Sequence, residues 1–427
     1  MATQGKRFIL LCATLLALSP RCSHAQQDTI RLGVPDAERV FAARNLQVLA
    51  ARASIEAARA AIVQAGLISN PNISIEQNVY NPATKRYVDF TQDGNTEIAL
   101  QQLILLAGKR SKQVRAAELG ATLSEYALAD LLRTLKLELR TDLIDLFYLR
   151  KSLSFYDESL ATLRQTVASV ERVYQSRSVL LSDVLRLKAL LLSLETERQD
   201  RVRQAEDLQS DLRLLLRDTS AAVIVPAIDS ALVEKIRPDS TTLASAVRSA
   251  LTGRPDLQTA EGTVHLDETN LSLQKAMAVP DLTIGGRWSR QGSYIPDYYA
   301  VSVSIDLPIF NRNQGNIAVA ERTLEADRAS LEAAKLRIAR EVGSAFLKAR
   351  EADRLYRSLD PLFVGQYRTL INGMVADYQK RNASLLEFTD FFESYRTSML
   401  QVLQAANDRL DAFEEFNAAA GSDFLTP

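Results

Sequence analysis

Residue types able to do chemistry are few here, and their spacing argues against catalysis. The 427-residue sequence holds two histidines and two cysteines. Cys12, Cys22 and His24 all lie in the first 25 residues, which leaves His265 as the lone histidine beyond them. A Cys/His metal site needs three or four such ligands, so none is expected within one chain. His265 sits in a stretch of helical spacing with Asp267 nearby, the pattern of a surface histidine. Gly108-Lys109-Arg110 lacks the glycine spacing of a phosphate loop, and no nucleophile motif accompanies it. The 52 acids fall mostly on helix faces, so their pairing carries no weight as general acid and base. The 51 bases offset them, and no basic face invites a nucleic acid. The chain reads as a non-enzyme with no cofactor, no metal and no catalytic residue.

The leader sets the compartment. Lys6 and Arg7 precede an apolar run over residues 8–18, too short to span a bilayer, and Ser23-His24-Ala25 offers small residues at the cleavage positions. Residues 1–25 therefore read as a secretory signal peptide, with the mature chain starting near Gln26. Two other readings of the leader are a membrane anchor and acylation on Cys22. Ser19-Pro20-Arg21 fits the second badly, because the position before such a cysteine is small. After the leader no run reaches about 18 apolar residues, so no transmembrane helix is expected. An exported chain can still cross a membrane as a closed β-barrel.

What must position any site is a pattern written twice. Asn70-Pro71-Asn72-Ile73-Ser74-Ile75 returns as Val279-Pro280-Asp281-Leu282-Thr283-Ile284, and Tyr174-Gln175-Ser176-Arg177 as Tyr378-Gln379-Lys380-Arg381. Each copy reads helix, strand, loop, strand, very long helix, tight turn, long helix. The first copy spans residues 26–217, with strands at 71–80 and 95–104 and a tip at 174–181. The second spans 257–418, with strands at 281–289 and 298–307 and a tip at 378–385. Residues 218–256, rich in proline, form an equatorial connector, and 419–427 a tail.

The four strands alternate oily and wet residues with period two and run about ten residues, the length of a tilted membrane strand. Tyr80, Trp288, Tyr298 and Tyr299 lie near strand ends, where an aromatic girdle would sit. From Ser111 to about Tyr174 leucines recur at coiled-coil spacing without a proline, enough for a helix of about 95 Å. Pro361 should kink or shift the second long helix. Four strands are too few to close a barrel, and an open edge in hydrocarbon leaves backbone groups unpaired. If these strands are in a membrane, several chains must share one barrel. The expected fold is mainly α with a small membrane β-barrel and a long coiled-coil α-barrel.

These residues resemble the TolC-type outer-membrane efflux channels over nearly the whole mature chain. The most specific matches are the Asn70-Pro71-Asn72-Ile73-Ser74 lead-in to the first strand and the Leu307-Pro308-Ile309-Phe310-Asn311 exit from the last. Ser384-Leu385-Leu386-Glu387-Phe388 after the second tip adds to them, and Leu105-Leu106-Ala107-Gly108-Lys109-Arg110 is nearest the heavy-metal branch. The resemblance implies a homotrimer with a twelve-stranded outer-membrane barrel and a periplasmic α-barrel. It also implies a passive duct that docks its tips on a periplasmic adaptor and an inner-membrane RND-type pump. Residues 81–94 and 291–297 would then face outside. Tyr174, Arg177, Ser178, Lys380, Arg381 and Asn382 would face the adaptor and pump.

By position after each tip, the resemblance makes Asp183, Glu387 and Asp390 a periplasmic gate or selectivity ring, with Tyr378 as gate tyrosine. Glu387 and Asp390 at i and i+3 share one helical face. Stacked acidic rings favour cations over anions. The alternative is that these are ordinary solvated charges. One departure bears on the closed state: where the family has an arginine shortly after the second tip, this chain has Ala383. Two non-channel readings, a periplasmic adaptor or an exported coiled-coil scaffold, predict respectively a single hairpin flanked by glycine-rich β-domains and no alternating strands.

Overall fold

The computed structural model describes residues 28–176, 179–238, 242–291, 295–359, 361–380 and 382–425. The leader with Cys22, and the tip residues Arg177, Ser178 and Arg381, lie outside the described residues.

Two long helical hairpins dominate. α3 (Lys109–Gln175) and α4 (Leu181–Leu216) make the first. At 1.5 Å per residue the 67 residues of α3 reach about 100 Å. Nothing in them breaks a helix, and Leu135, Leu139, Leu143 and Leu146 recur every three or four residues to bury one stripe. Each such leucine contributes about 1.5–3 kcal/mol of burial. Gly108, at φ 68°, supplies the left-handed turn that launches α3 out of the preceding strand.

The second long helix is divided, as Pro361 requires. α8 (Gln314–Ser358) ends where Leu359 turns extended, and α9 (Pro361–Gln379) starts afresh on the proline. Proline lacks the N–H that a continuous helix needs but is at home in a first turn. α10 (Leu385–Ala420) returns and stops at Gly421, φ 67°.

The short helices α2 (Leu46–Gly66) and α7 (Pro255–Met277) lead into the strands and pack beside α3 and α8. Four strands follow in two pairs: β2 (Asn72–Gln77), β5 (Thr96–Ile104), β7 (Leu282–Gln291) and β8 (Pro296–Ile305). They form one antiparallel sheet in the order β2-β5-β7-β8. The first strand is shorter than its apolar alternation implies. After Gln77 the chain leaves the sheet, and a small hairpin of β3 (Tyr80–Asn81) and β4 (Arg86–Tyr87) follows. Asn78 causes this: its backbone and side chain bond Asn95 across the loop base.

A belt lies against one side of the hairpins at their middle. β6 (Val223–Ala227) pairs in parallel with β1 (Thr29–Gly33), and α1 (Val34–Arg44), α5 (Ser230–Val233) and α6 (Leu243–Gly253) complete it. The connector at 218–256 thus gains β1 and α1, which the repeat pattern alone assigns to the first copy. The C-terminal turn closes over it, with Leu425 bonded to Asn417. Three arginines, two of them buried, hold belt to hairpins. Arg140 of α3 pairs with Glu38, Glu414 and Asp423, each within 2.8 Å. Arg254 pairs with Asp256 and Glu341 and caps the Ala419 carbonyl. Arg409, 1% exposed, pairs with Asp353 at 2.7 Å between the rings of Tyr356 and Phe413.

Candidate channel wall and tips

One face of the sheet is covered by none of the described residues. Register places Ile73, Leu100, Gly286 and Val301 in one cross-strand row, and Ile75, Ile98, Trp288 and Tyr299 in the next. Ile73, Ile75, Leu100, Tyr299, Val301 and Val303 are all exposed in the single chain, Val301 at 82%. Gly286 leaves a trough in this face, walled by Leu100, Trp288 and Val301. The other face is polar: Ser74, Glu76, Glu97, Gln101, Ser289, Ser302 and Ser304 alternate with the oily rows. Arg287 answers Glu97 across it. Gly285 is required on that side, because a Cβ would meet the Ser302 hydroxyl at 2.8 Å and the Leu100 carbonyl at 3.0 Å.

Water does not tolerate such a surface bare: a contiguous apolar patch of this kind marks a membrane or a partner. The edges make the same demand. Among the described residues β2 is bonded to β5 alone and β8 to β7 alone, so each has one edge that no described strand covers. Of the four expected girdle aromatics, Trp288 and Tyr299 lie side by side on the oily face. Tyr298 does not join them. It pairs with Ser289 on the polar face, because neighbours along a strand point oppositely. Tyr80 leaves the sheet altogether and packs on Tyr87, ring centroids 5.0 Å apart.

Beyond the sheet, the loop at 81–94 is built around Asp89, a centre that the strand pattern does not single out. Its carboxylate accepts from the Thr91 hydroxyl and backbone and from the Thr84 hydroxyl, which lower its pKa to about 2. Where sheet becomes helix, Lys109 is buried at 3% exposure. Its Nζ meets Asp281 Oδ1 and the Val279 carbonyl, both at 2.7 Å, and ties the first copy to the second.

At the opposite end the two tips pack on each other. Val184, Leu187, Ile371, Phe388 and Phe392 belong to one buried cluster. Tyr378 stacks on Phe388 at 4.8 Å, and its pKa is raised by burial and then by the charge of Asp183. The structure therefore brings the expected gate tyrosine and the first-tip acid together. Glu387 has a second occupation that spacing alone leaves unstated. Its Oε2 accepts from the Ser384 backbone N–H and hydroxyl, both at 2.8 Å, while Ser384 Oγ accepts from the Glu387 N–H. This capping box starts α10, and its hydrogen bonds lower the Glu387 pKa. The sequence signal was present, in Ser384 three residues ahead of Glu387. Asp390 is exposed one turn on, and Tyr174, Lys380 and Asn382 are exposed near the tips. Among the described residues no ion pair joins Asp183, Glu387 or Asp390 to a base.

Residues 246–422 match the family described as Outer membrane efflux protein. The cobalt-zinc-cadmium resistance protein CzcC of Cupriavidus metallidurans is 24% identical over 350 residues, covering 76% of this chain and 77% of its own. A membrane protein from Pseudomonas aeruginosa superposes with TM-score 0.75 at 18% identity, covering 91% of this chain and 90% of the other. The Campylobacter jejuni CmeC outer membrane channel does so with TM-score 0.74 at 13% identity, over 92% and 86%. The architecture described above is the fold of these two solved structures.

Proposed function

We infer that this chain is an outer membrane efflux protein, a passive duct across the outer membrane with a long helical extension into the periplasm. The observation that carries the reading is the four-stranded sheet, apolar on one face and open at both edges, set at the end of helical hairpins whose longest helix reaches about 100 Å. In lipid every backbone group needs a partner, and a closed barrel of several chains gives β2 and β8 theirs. Three chains make twelve strands, an even number within the range of such barrels. Helices of that length reach across a periplasmic space to an adaptor and an inner-membrane pump, which supply the energy that the duct lacks.

Cargo follows from chemistry and likeness together. The relative of cobalt, zinc and cadmium resistance points to divalent cations. Asp183, Glu387 and Asp390 at the tips favour cations over anions. Tyr174, Lys380 and Asn382, with Arg177, Ser178 and Arg381, offer the docking surface. The duct reading is tested by cross-linking edge to edge. Cysteines at Ser74 on β2 and Ser302 on β8 should yield covalent trimers in outer-membrane fractions. Monomers in the soluble fraction after a high-salt wash would sink the reading. Cargo is tested separately, by the susceptibility of a deletion strain to cobalt, zinc and cadmium against a panel of organic toxins.

A further inference from the structure

Two helices meet on the side of the hairpins turned away from the belt. On α3, Lys136 and Arg140 point at the belt, where both pair with Glu38. At 100° per residue, Glu138, Asp142 and Asp145 fall on the far side of the same helix. On α10, Arg409 points at the belt and bonds the Val233 and Ile236 carbonyls, so Asn407 and Asp411 fall on the far side too. The two faces join there. Asn407 Nδ2 donates to Asp145 Oδ1 at 2.6 Å and to Asp411 Oδ2 at 2.7 Å. Asp145 and Asn407 line a groove of about 350 Å³ together with Ser152, Arg201 and Gln204.

Hydrogens are short in this cluster. Two carboxyl groups and a carboxamide oxygen all accept, and the Asn407 amide is the one donor they share among the described residues. Asp411 Oδ1 and Asn407 Oδ1 are sealed from solvent, and neither has a partner. Asn407 is only 7% exposed, so water does not supply the missing hydrogen cheaply. The charges around the pair make full ionisation worse. α3 presents Asp142, Glu138 and Tyr148, and α10 presents Asp408 and Glu415. α4 presents Asp207, Asp211 and Arg201, and the Arg201 guanidinium bonds Gln204. Glu414 and Arg409 of α10 are spent on Arg140 and Asp353.

We propose that Asp145 and Asp411 hold one proton between them, and that this shared proton fastens the first hairpin to the second beside the belt. When it leaves, it passes by way of the Asp145 carboxyl, which lines the groove, to water there, and two adjacent anions remain in the seam. Burial and then the Asp145 charge raise the Asp411 pKa to about 8. Because the folded value lies above the unfolded one, the stabilisation is complete below the ordinary carboxylate range and is lost as pH rises through about 8. The periplasmic face of an exported duct meets the pH of the medium, so the seam would loosen in alkali.

The protonation part is independent of the channel reading; the conduction part rests on it. Infrared difference spectra of the purified full chain, taken from about pH 6 to about pH 9, read the carboxylic acid C=O band directly. Beside an Asp142 component that fades near 7, a component that fades with a midpoint near 8 should appear in the native protein, be lost in Asp411→Asn and persist in Asp408→Asn. If Asp411→Asn does not fold, Asp145→Asn takes away one of the two acids and should move the midpoint down. A band absent near neutrality, or unchanged in the Asp411 or Asp145 variant, overturns the proposal. In planar bilayers the native channel should become noisier above about pH 8 while Asp411→Asn stays flat. Identical pH profiles refute the latch. No conductance at any pH refutes the duct reading and leaves the infrared result to decide the proton.

Discussion

Val301→Arg puts a charge at the centre of the face assigned to lipid. β8 runs ten residues, Pro296–Ile305, and Val301 is the sixth. At about 3.3 Å per residue the strand is about 33 Å long, and tilted by about 45° it covers about 23 Å of membrane depth. That nearly matches an apolar band about 25 Å tall, so Val301 lies within a few ångströms of the midplane. An arginine there costs about 2–4 kcal/mol per chain, and about 6–12 kcal/mol in a barrel shared by three. Each 1.4 kcal/mol is a factor of about ten, so one chain's loss alone lowers insertion about 30- to 1,000-fold. Ile305, on the same face at the strand end, is the comparator: Ile305→Arg should cost only about 0–1 kcal/mol. Ser304→Arg, on the polar face, should cost little. The assay is folding into lipid vesicles across a urea titration, with outer-membrane yield as the cellular readout. Equal losses at Val301 and Ile305 would mean that the covering surface is a protein and not a bilayer. No loss at Val301 would refute the membrane assignment of the sheet.

Glu387→Gln separates the two duties of that residue: glutamine can still close the capping box, so the tip helix should stay intact while cation selectivity, read as a reversal potential, falls. Ser384→Ala should do the reverse, costing about 0.5–2 kcal/mol of helix stability and leaving selectivity in place. Arg140→Met strands Glu414, which burial already pushes up in pKa; the expected loss is about 3–5 kcal/mol by thermal unfolding, with the tail near Asp423 opened to protease. Asp89 has a depressed pKa, so its contribution to the loop is present above the usual carboxylate range and lost as pH falls through about 2. Limited proteolysis of the loop should therefore find it closed at about pH 4 and, in Asp89→Asn, open at neutrality. N-terminal sequencing of the exported protein should read from Gln26.

Much of the site was legible because it is periodic. The oily and wet rows and the proline break follow from spacing along one element, whereas the tip acids were picked out by the family resemblance. The partners of those residues were not. Nothing local announces that Tyr378 comes to lie beside Asp183, or that Lys109 of the first copy reaches Asp281 of the second. The Tyr298 assignment to the girdle failed for a local reason that the strand period itself contains: it neighbours Tyr299 and so faces the other way.

The sequence by itself determined two copies, four amphipathic strands, helices too long for a globule and a chain poor in catalytic groups. These are properties of short-range periodicity, which a single segment expresses before it meets any other. The tertiary structure alone decided that β1 crosses to pair with β6, that two buried arginines and the part-buried Arg140 pin the belt to the hairpins, and that Asp145 and Asp411 face each other through Asn407. Each joins residues far apart in the chain, and the burial that gives such pairs their energy exists only once both hairpins have packed.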